Sequence, residues 1–481
     1  KPYVDYFNSM EDENIAQAVP NARASQWMEE NIPLFECSQK NFEEMYYYRW
    51  WTLRKHIKET PVGYGMTEFL VNRSYADKYN LIACAIGHHI YESRWLRNPE
   101  YLNQIIHTWY RGNEGGPMAK MTKFSSWNAD AVLGRYMVDG NKEFLLDMVK
   151  DLEAEYARWE KTNRLSNGLY WQGDVQDGME ESISGGRRKQ YARPTINSYM
   201  YGNAKALSLI GIMTGDEGMA MKYGLKADSI KTLVQDKLWN TDHHFFETMR
   251  GDASAEVREA IGYIPWYFNL PDASSQYDVA WKEVMDEKGF SAPYGLTTAE
   301  RRHPEFRTHG VGKCEWDGAI WPFASAQTLT AMANFMNNYP QTVLTDSVYF
   351  HQMERYVESQ HHRGRPYIGE YLDEVTGYWL KGDQERSRYY NHSTFNDLMI
   401  TGLIGLRPRM DNTVEVNPLI PEGKWDYFCL DNVLYHGRNL TILWDKDGSR
   451  YQRGKGLHIY VDGKEVGHAD TLTRVLCENV L

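Results

Sequence analysis

The chain has 481 residues, of which 42% are hydrophobic and 25% charged, a balance that is ordinary for a globular protein and excludes extended disorder. Its formal net charge is −12 and no basic block interrupts it, which argues against a nucleic-acid partner. The sequence lacks a run of about 18 apolar residues, so no membrane span is predicted. The length is sufficient for one large domain and a smaller one.

The cysteine pattern and the first residue give information on the cellular location of the protein. Five cysteines are scattered without a Cys-x-x-Cys pair, which argues against a disulfide framework or a zinc knuckle. The chain begins at Lys1 rather than Met, and this start predicts a removed signal peptide or a trimmed sequence. We therefore expect a periplasmic or secreted location, with a cytoplasmic one left open.

Apolar residues at helical spacing predict long helices over most of the chain. The predicted ranges are 37–58, 74–96, 98–112, 125–138, 141–163, 195–214, 216–239, 255–269, 274–287, 316–336, 340–360 and 391–406. Asn98 is a predicted N-cap with Pro99 at the first helical position. About a dozen helices with few strands between them predict a mainly α architecture of consecutive helical hairpins.

The pattern changes near residue 407. NTVEVNPLIP, NVLYHGRNLTILWD and GLHIYVDGKEV are short, alternating, β-branched runs, and DKDG and VDGK predict hairpin turns between them. DKDGSR is a weak match to a calcium loop and lacks its terminal Glu, so a turn is the better interpretation. We predict a lead-in segment over 1–35, a helical domain over 36–406 and a small β domain over 407–481.

Candidate functional residues lie in acidic, aromatic-rich loops, because polar loop residues often carry function. WQGDVQDGMEES (171–182) contains Asp174, Asp177, Glu180 and Glu181, and it fits an acidic surface turn, a metal site or a catalytic acid. CEWDGAIWPFAS (314–325) brackets an Asp with two tryptophans, which also fits a helix cap. RPYIGEYLDEVTGYW (365–379) and VGYGMTEFLV (62–71) supply further glutamates.

Other motifs exclude several reactions. The pairs His88–His89 and His361–His362 lack HExxH spacing and companion ligands, so core packing or a surface pair is the better interpretation. The sequence contains no GxGxxG, P-loop or GxSxG motif, which disfavours nucleotide binding and serine-hydrolase chemistry.

Acidic loops rich in Trp and Tyr fit the cleavage of a glycosidic bond. One carboxylic acid protonates the leaving oxygen, and a second carboxylate activates water or attacks the anomeric carbon. Aromatic walls raise the pKa of the acid and hold the sugar. On composition alone, however, the 34 Tyr and 16 Trp are better explained as filling a large helical core. The chemistry requires no metal or organic cofactor. Glu180 and Glu370, in different loops, fit the two carboxyl groups.

Several segments, in order along the chain, resemble the six-hairpin glycosidases around glycoside hydrolase family 63, including the mannosylglycerate-hydrolase-like enzymes. WQGDVQDGMEES resembles the segment that holds the general acid, and GEYLDEVTG resembles the loop that holds the general base. EWDGAIWP is similar to the Trp-Arg-Gly-x-x-Trp-Pro motif, and RPTINSYMYGNAKALSLI, SAPYGLTTAERRHPEF and YYNHSTFNDLMITGLIGLRP resemble neighbouring segments. The resemblance covers roughly residues 60–410. KYNLIACAIGHHIYESRWLRNPEYL is similar to the family 142 β-L-arabinofuranosidases.

The resemblance implies an (α/α)6 toroid with Glu180 as general acid and Glu370 as general base in an inverting, exo-acting hydrolase. Asp177 is the alternative acid, and the Arg of the Trp-Arg-Gly motif is Asp317 here. These departures, and the small β domain after the toroid, argue against α-glucosidase specificity. The similarity to family 142 makes β-L-arabinofuranosidase activity the alternative. The substrate-binding candidates are Glu68, Trp127, Trp171, Asp174, Trp316, Asp317, Trp321, Tyr371 and Trp379.

Two alternatives stay open at this stage. Helical toroids also support polysaccharide lyases, in which a Tyr or His base and cationic groups such as Arg187, Arg188, His303 and His361 would be needed. A toroid that binds glycans without turning them over is the other. In each case the expected partner is an oligosaccharide or glycan, with no nucleic acid and no metal, and the sequence sets no oligomeric state.

Overall fold

The computed structural model describes residues 1–309 and 311–481, with 42% of the chain in helices and 16% in strands. The described residues form fourteen α-helices. They are α1 Pro2–Ser9, α2 Ala24–Asn31, α3 Lys40–Lys55, α4 Ile86–Ser93, α5 Pro99–Arg111, α6 Asn128–Asp139, α7 Lys142–Asn163, α8 Pro194–Thr214, α9 Glu217–Leu233, α10 Ile264–Tyr267, α11 Ser275–Asp278, α12 Pro322–Asn338, α13 Asp346–Ser359 and α14 Phe395–Leu398. A mainly helical protein with a C-terminal sheet is therefore confirmed.

Six helices pack in a circuit at the centre of the helical region. α4 packs on α6, α6 on α8, α8 on α10, α10 on α12, α12 on α14, and α14 on α4. Residues from the loops before α4, α6, α8, α12 and α14 meet around one cavity, so these five inner helices begin at the same end of the core. None of the helices in residues 1–309 and 311–481 combines the length and hydropathy needed to cross a membrane.

The helix ends follow local chemistry. The Asn98 side chain accepts a hydrogen bond from the backbone N–H of Glu100 at 3.0 Å, and Pro99 occupies the first turn of α5, as predicted. Helix α6 ends at Gly140 and α8 at Gly215, both in the left-handed conformation that suits glycine.

Several predicted helices are shorter than expected. The range 74–96 is helical only over α4, because Tyr79 and Asn80 have positive φ and the chain runs through buried turns as far as Ala85. Apolar spacing in that segment reflects a buried loop. The ranges 255–269 and 274–287 contain the single turns α10 and α11 with adjoining 3₁₀ turns, and 391–406 contains α14 and a π-helical turn.

Short strands connect the helices. They are β1 Leu34–Cys37, β2 Ile57–Thr60, β3 Gly63–Met66, β4 Trp171–Gln172, β5 Tyr191–Ala192, β6 Trp239–Asn240, β7 Phe245–Phe246, β8 Met249–Arg250, β9 Ala253–Ser254, β10 Ser291–Ala292, β11 Gly295–Leu296, β12 His361–His362 and β13 Arg365–Pro366. β4, β5, β8 and β9 form a four-stranded sheet, and the pairs β2–β3, β6–β7, β10–β11 and β12–β13 form two-stranded hairpins.

The C-terminal region forms a three-stranded sheet, β14-β15-β20, and most of a five-stranded one. Its strands are β14 Leu406–Arg407, β15 Val414–Val416, β16 Tyr427–Tyr435, β17 Arg438–Asp445, β18 Gly456–Val461, β19 Lys464–Ala469 and β20 Val475–Cys477. Asp462 and Gly463 both have positive φ at the predicted β18–β19 turn, the geometry of a type I′ hairpin. The predicted turn DKDG lies at the start of the longer β17–β18 loop.

The five-stranded antiparallel sheet has the order β1-β16-β17-β18-β19. Its first strand comes from the N-terminal segment, with Leu34 opposite Asp431 and Cys37 opposite Phe428. The predicted boundary between residues 35 and 36 therefore falls within β1. The division into domains itself stays a prediction.

Candidate active site

A pocket of about 290 Å³ lies at the end of the core where the inner helices begin. Its walls combine three glutamates, four aromatic rings, two cations and two thiols. These residues are Glu68, Glu180, Glu370, Tyr75, Phe124, Trp321, Tyr390, Lys123, Arg386, Cys84 and Cys314. They come from the loops that precede α4, α6, α8, α12 and α14. The sequence-predicted Glu180, Glu370, Glu68 and Trp321 are thereby brought together.

The loop of Glu180 is built on a 3₁₀ turn over Val175–Asp177. The Asp174 carboxylate caps this turn by accepting a hydrogen bond from the Val175 N–H at 2.9 Å. Gly178 follows with φ +73°, and a Cβ at this position would lie 3.4 Å from the Cys84 sulfur. Glycine therefore lets the loop close against Cys84 and turn Glu180 into the pocket.

Asp177, the alternative acid, lies in an internal hydrogen-bond network. Its Oδ2 accepts hydrogen bonds from Arg193 Nε at 2.7 Å and Thr195 Oγ1 at 2.6 Å, and its Oδ1 accepts one from the Ser125 hydroxyl. Its side chain is completely buried, and it does not line the pocket. These hydrogen bonds fit a role of Asp177 in holding the loop of Glu180 in place.

Glu180 has the electrostatics of a proton donor. Burial and, to a smaller extent, the negative charge of Glu370 raise its pKa to about 7. A carboxylic acid that keeps its proton near neutral pH can protonate a leaving oxygen. The same pocket therefore contains a donor and a second carboxyl group.

Glu370 has a different environment. The Ser387 hydroxyl donates a hydrogen bond to its Oε2 at 3.2 Å, and the Lys381 ammonium lies 3.7 Å and the Arg386 guanidinium 3.9 Å from the same oxygen. The loop of Glu370 is fixed by backbone hydrogen bonds between Leu372 and Ile320 in both directions. Two cations thus compensate the negative charge of a rigidly held carboxylate.

Glu68 is the third carboxyl group of the pocket and is only 1% exposed. The Tyr390 hydroxyl donates to its Oε1 at 2.8 Å, and the Cys84 thiol lies 3.4 Å from its Oε2. Burial, with smaller contributions from Glu370 and Glu180, raises the pKa of Glu68 to about 8. Both hydrogen-bond donors are neutral, so they only partly oppose the effect of burial.

Three aromatic rings form a stack behind one wall. Trp316 and Trp321 lie with centroids 4.5 Å apart at 22°, and Trp321 and Tyr371 lie 4.5 Å apart at 17°. Only Trp321 reaches the cavity, while Trp316 and Tyr371 support it from behind. The Tyr371 hydroxyl donates to the backbone carbonyl of Lys313. This hydrogen bond connects the loop of Tyr371 to the loop before α12.

The remaining predicted binding residues lie elsewhere. Trp127 is fully buried and donates its indole N–H to Tyr267 at 3.1 Å, and Trp379 is buried with its indole N–H bonded to the Ser359 and His361 carbonyls. Trp171 lies in strand β4. Asp317 is buried and accepts a hydrogen bond from the His309 backbone at 2.6 Å. These four residues, with Asp174, are outside the pocket lining.

Sequence reasoning missed several pocket residues. Cys84 and Tyr390 lie at or beside segments predicted to be helical, and Lys123 and Arg386 are isolated cations in loops without a motif. Tyr390 falls within a segment that carries the family resemblance, which is the available signal. Arg187, Arg188, His303 and His361, needed for a lyase, do not line this pocket.

The described residues contain one group with the composition of a metal site, outside the pocket. His243 Nδ1 lies 2.6 Å from Glu247 Oε1, and His243 Nε2 lies 3.2 Å from Glu256 Oε2. Each ring nitrogen faces its own carboxylate, so the two contacts diverge from the imidazole ring. A shared cation would instead be bound through a single ring nitrogen.

Comparisons with known proteins match most of the chain. Residues 78–393 match the model of the mannosylglycerate hydrolase MGH1-like glycoside hydrolase domain, and residues 406–468 match that of the glycosyl hydrolase family 65 C-terminal domain. A structure named "Sialidase" is 84% identical with a TM-score of 0.99. It covers 100% of this chain, which spans only 44% of that protein.

More distant structures share the fold. The GH63 mannosylglycerate hydrolase from Thermus thermophilus in complex with Tris has a TM-score of 0.55 at 11% identity, covering 74% of this chain and 98% of its own. The GH78 rhamnosidase of Bacillus sp. GL1 has a TM-score of 0.56 at 12% identity, covering 86% and 40%. Because the family model extends over well more than half of the residues, the chain belongs to the mannosylglycerate hydrolase MGH1-like family of glycoside hydrolases.

Proposed function

We propose that this chain is an exo-acting, inverting glycoside hydrolase whose inner and outer helices form a closed (α/α)6 toroid. The observation that carries the proposal is the pairing of Glu180 with Glu370 across one pocket, in environments that differ in charge. The circuit of contacts through α4, α6, α8, α10, α12 and α14 supports closure.

Glu180 is the proposed general acid, because its pKa of about 7 keeps a proton available for the leaving oxygen. Glu370 is the proposed general base, because its carboxylate is held by Ser387 and compensated by Lys381 and Arg386. It would take a proton from the water that attacks the anomeric carbon on the opposite face of the sugar. The bond from that carbon to the leaving oxygen then breaks, and Glu180 supplies its proton.

Exo action is supported by the dimensions of the pocket. Its volume of about 290 Å³ lies at the lower end of the range for small-molecule sites, which fits one terminal sugar better than a long polysaccharide segment. Trp321 presents an indole to that space, and the apolar faces of sugar rings pack on such surfaces.

A neutral terminal sugar is proposed, with β-L-arabinofuranose ahead of α-glucose. Lys381 and Arg386 already lie against the Glu370 carboxylate, which leaves them less available to bind an anionic sugar at the cleaved position. The relative named a sialidase is 84% identical, and this chain spans 44% of it, so a sialoside belongs among the substrates tested. We also propose a periplasmic or secreted location, where glycans are met, and cell fractionation tests it.

Turnover on a panel of aryl glycosides tests the function. The panel contains a β-L-arabinofuranoside, an α-glucoside, an α-mannoside and a sialoside, with NMR to identify the anomer released first. Release of a neutral sugar with inverted configuration is expected. Cleavage of the sialoside alone would contradict the proposed sugar, and retention would contradict the role of Glu370 as a base.

Two further outcomes would overturn hydrolysis itself. An unsaturated product that absorbs in the near ultraviolet would identify a lyase, and sugar binding without turnover of any glycoside would identify a binding protein. A crystal structure gives the mechanism an independent test, because an inverting site requires the Glu180 and Glu370 carboxyl groups to lie about 6.5–9.5 Å apart.

A further inference from the structure

The third glutamate of the pocket has no part in the two-carboxyl mechanism. Glu68 lies just after strand β3, and its backbone carbonyl accepts a hydrogen bond from the Asn391 N–H at 2.9 Å. The Asn391 side chain in turn donates to the Thr67 carbonyl at 3.0 Å and accepts from Arg49 at 2.8 Å. The position of Glu68 is therefore fixed from both sides by buried groups.

The contacts of Glu68 distinguish its two oxygens. Oε1 accepts a full-strength hydrogen bond from the Tyr390 hydroxyl at 2.8 Å, whereas Oε2 has only the weak thiol donor of Cys84 at 3.4 Å. When the carboxyl group is protonated, the hydrogen is therefore better placed on Oε2. This leaves an O–H donor on a residue that lines the pocket.

Glu68 is also unlike its two neighbours. Glu370 has Lys381 and Arg386 nearby to compensate a negative charge, whereas the donors to Glu68 are a phenol and a thiol. Burial favours its neutral form, and the charges of Glu370 and Glu180 act in the same direction. A neutral carboxylic acid cannot act as the base that activates water, but it can donate a hydrogen bond.

We propose that Glu68 is a specificity-determining residue whose carboxylic acid donates a hydrogen bond from Oε2 to one hydroxyl of the terminal sugar. This inference rests on the proposed function, because it assigns Glu68 to the same pocket. It makes the pocket selective against sugars that lack this hydroxyl. It also makes sugar binding sensitive to alkali, since the donor becomes a carboxylate as the pH rises through about 8.

The test measures binding by calorimetry in a Glu180→Gln background, so that Glu180 does not titrate. The probe is the neutral monosaccharide that the parent releases, or L-arabinose if the parent releases none, with its deoxy analogues. The Kd is expected to be constant below about pH 8 and to rise above it. Adding Glu68→Gln should remove this pH dependence while keeping the affinity, because the amide N–H₂ still donates.

Glu68→Leu should weaken binding about 10- to 100-fold and remove the discrimination against one deoxy sugar, since the hydroxyl then lacks its partner. Tyr390→Phe and Cys84→Ser test the titration of Glu68, because the pH at which the Kd begins to rise would not depend on them if Glu68 had only a structural role. Loss of the tyrosine hydrogen bond should shift the alkaline rise to higher pH, because that bond lowers the pKa of Glu68. Serine, a stronger donor than the thiol, should shift it to lower pH.

The proposal fails if Glu68→Leu binds the sugar and every deoxy analogue as the parent does, or if the alkaline rise survives in Glu68→Gln. Loss of turnover in Glu68→Gln alone, to the extent seen for Glu180→Gln, would instead make Glu68 an acid or base. Failure of the proposed function is separately visible, because it appears as no turnover of any glycoside by the parent. Melting temperatures of each variant show whether the fold is retained.

Discussion

The two ends of the helical core each carry a cavity, and the larger one is not the candidate active site. The second, here called the far cavity, has about 390 Å³ against about 290 Å³ for the pocket. Its lining residues include Met137 of α6, Leu209 of α8 and Asn338 of α12, all near the C-terminal ends of inner helices. The pocket lies where the same helices begin.

The charges at the two ends are arranged differently. In the far cavity the Arg94 guanidinium pairs with Asp397 at 2.8 Å, and Arg409 pairs with Glu415 at 2.9 Å. The pocket instead holds three glutamates, of which Glu68 has neutral donors. Ion pairs satisfied within the fold fit a structural role, and carboxyl groups that face one another fit a chemical one.

A raised pKa by itself does not separate the two ends. Burial raises the pKa of Asp130 in the far cavity to about 7, as it does for Glu180. Asp130 accepts a hydrogen bond from the Tyr91 hydroxyl at 2.6 Å, and the charges that act on it are the cations Arg94 and Lys205. The charge of Glu370 acts on Glu180 instead. A partner carboxyl group, more than cavity size or a raised pKa, therefore distinguishes the candidate site from the far cavity.

The largest expected effect follows from removing the acid or the base. Glu180→Gln and Glu370→Gln should each lower kcat by about 10²- to 10⁴-fold, because each removes one proton transfer. Asp130→Asn in the far cavity is the matched control and should leave kcat unchanged. The measurement is steady-state turnover of the best aryl glycoside. Equal losses of kcat in all three variants would show that turnover does not depend on the pocket more than on the far cavity.

Buried ion pairs at both ends allow a stability test. Arg193→Met leaves Asp177 unpaired, Arg94→Met leaves Asp397 unpaired, and each should lower the free energy of unfolding by about 3–5 kcal/mol. Urea unfolding measures the loss. Only Arg193→Met should also lower kcat of the folded protein, since Asp177 anchors the turn before Glu180. Comparable activity in the two variants would argue against that anchoring role.

The pH dependence of kcat/KM should come from the pocket and not from the far cavity. Glu180 must be protonated to act, so the alkaline limb of kcat/KM should have its midpoint near pH 7, where the acid ionises. The fall approaches about tenfold per pH unit well above the pKa. Asp130→Asn should leave the midpoint of this alkaline limb in place. A midpoint that moves with Asp130 would assign the titration to the far cavity.

The smallest expected effect concerns aromatic residues. Trp321→Phe keeps a ring in the stack but leaves the Glu315 carbonyl, 3.2 Å from the indole nitrogen, without that donor. KM should rise about three- to tenfold, from weaker packing of the sugar. Tyr267→Phe, in the far cavity, should leave KM unchanged although Trp127 loses its hydrogen-bond acceptor. An unchanged KM for Trp321→Phe would remove that ring from the proposed sugar contacts.

Much of the fold is predictable where local signals agree. The helix over 142–163 and the Asp462–Gly463 turn follow from periodicity, capping residues and turn chemistry, all of which act over a few residues. The segment before α4 has apolar residues at helical spacing, which predicts a helix. It is a buried loop instead, and burial by distant parts of the chain produces the same pattern.

The candidate site is partly predictable for a related reason. Glu180, Glu370 and Trp321 lie in loops that stand out by composition and resemblance, and the structure brings them to one pocket. Trp127 and Trp379 have the same aromatic signal but fill the core, since an indole suits both surroundings. Cys84 lies in the stretch that is similar to family 142 but is not distinguished there as a site residue. Arg386 carries no signal of its own, because its role depends on which loops meet in space. The catalytic roles stay predictions.

Strand β1 has a consequence for how this unit can be moved between proteins. Its pairing with β16 joins residues separated by almost the whole chain, and His436 at the end of β16 also donates its backbone N–H to Val138 at 2.7 Å. A gene fragment that begins after residue 37, or stops before 427, would leave an open sheet edge and an uncovered apolar face. Recombination must therefore transfer helices and sheet as a single cassette.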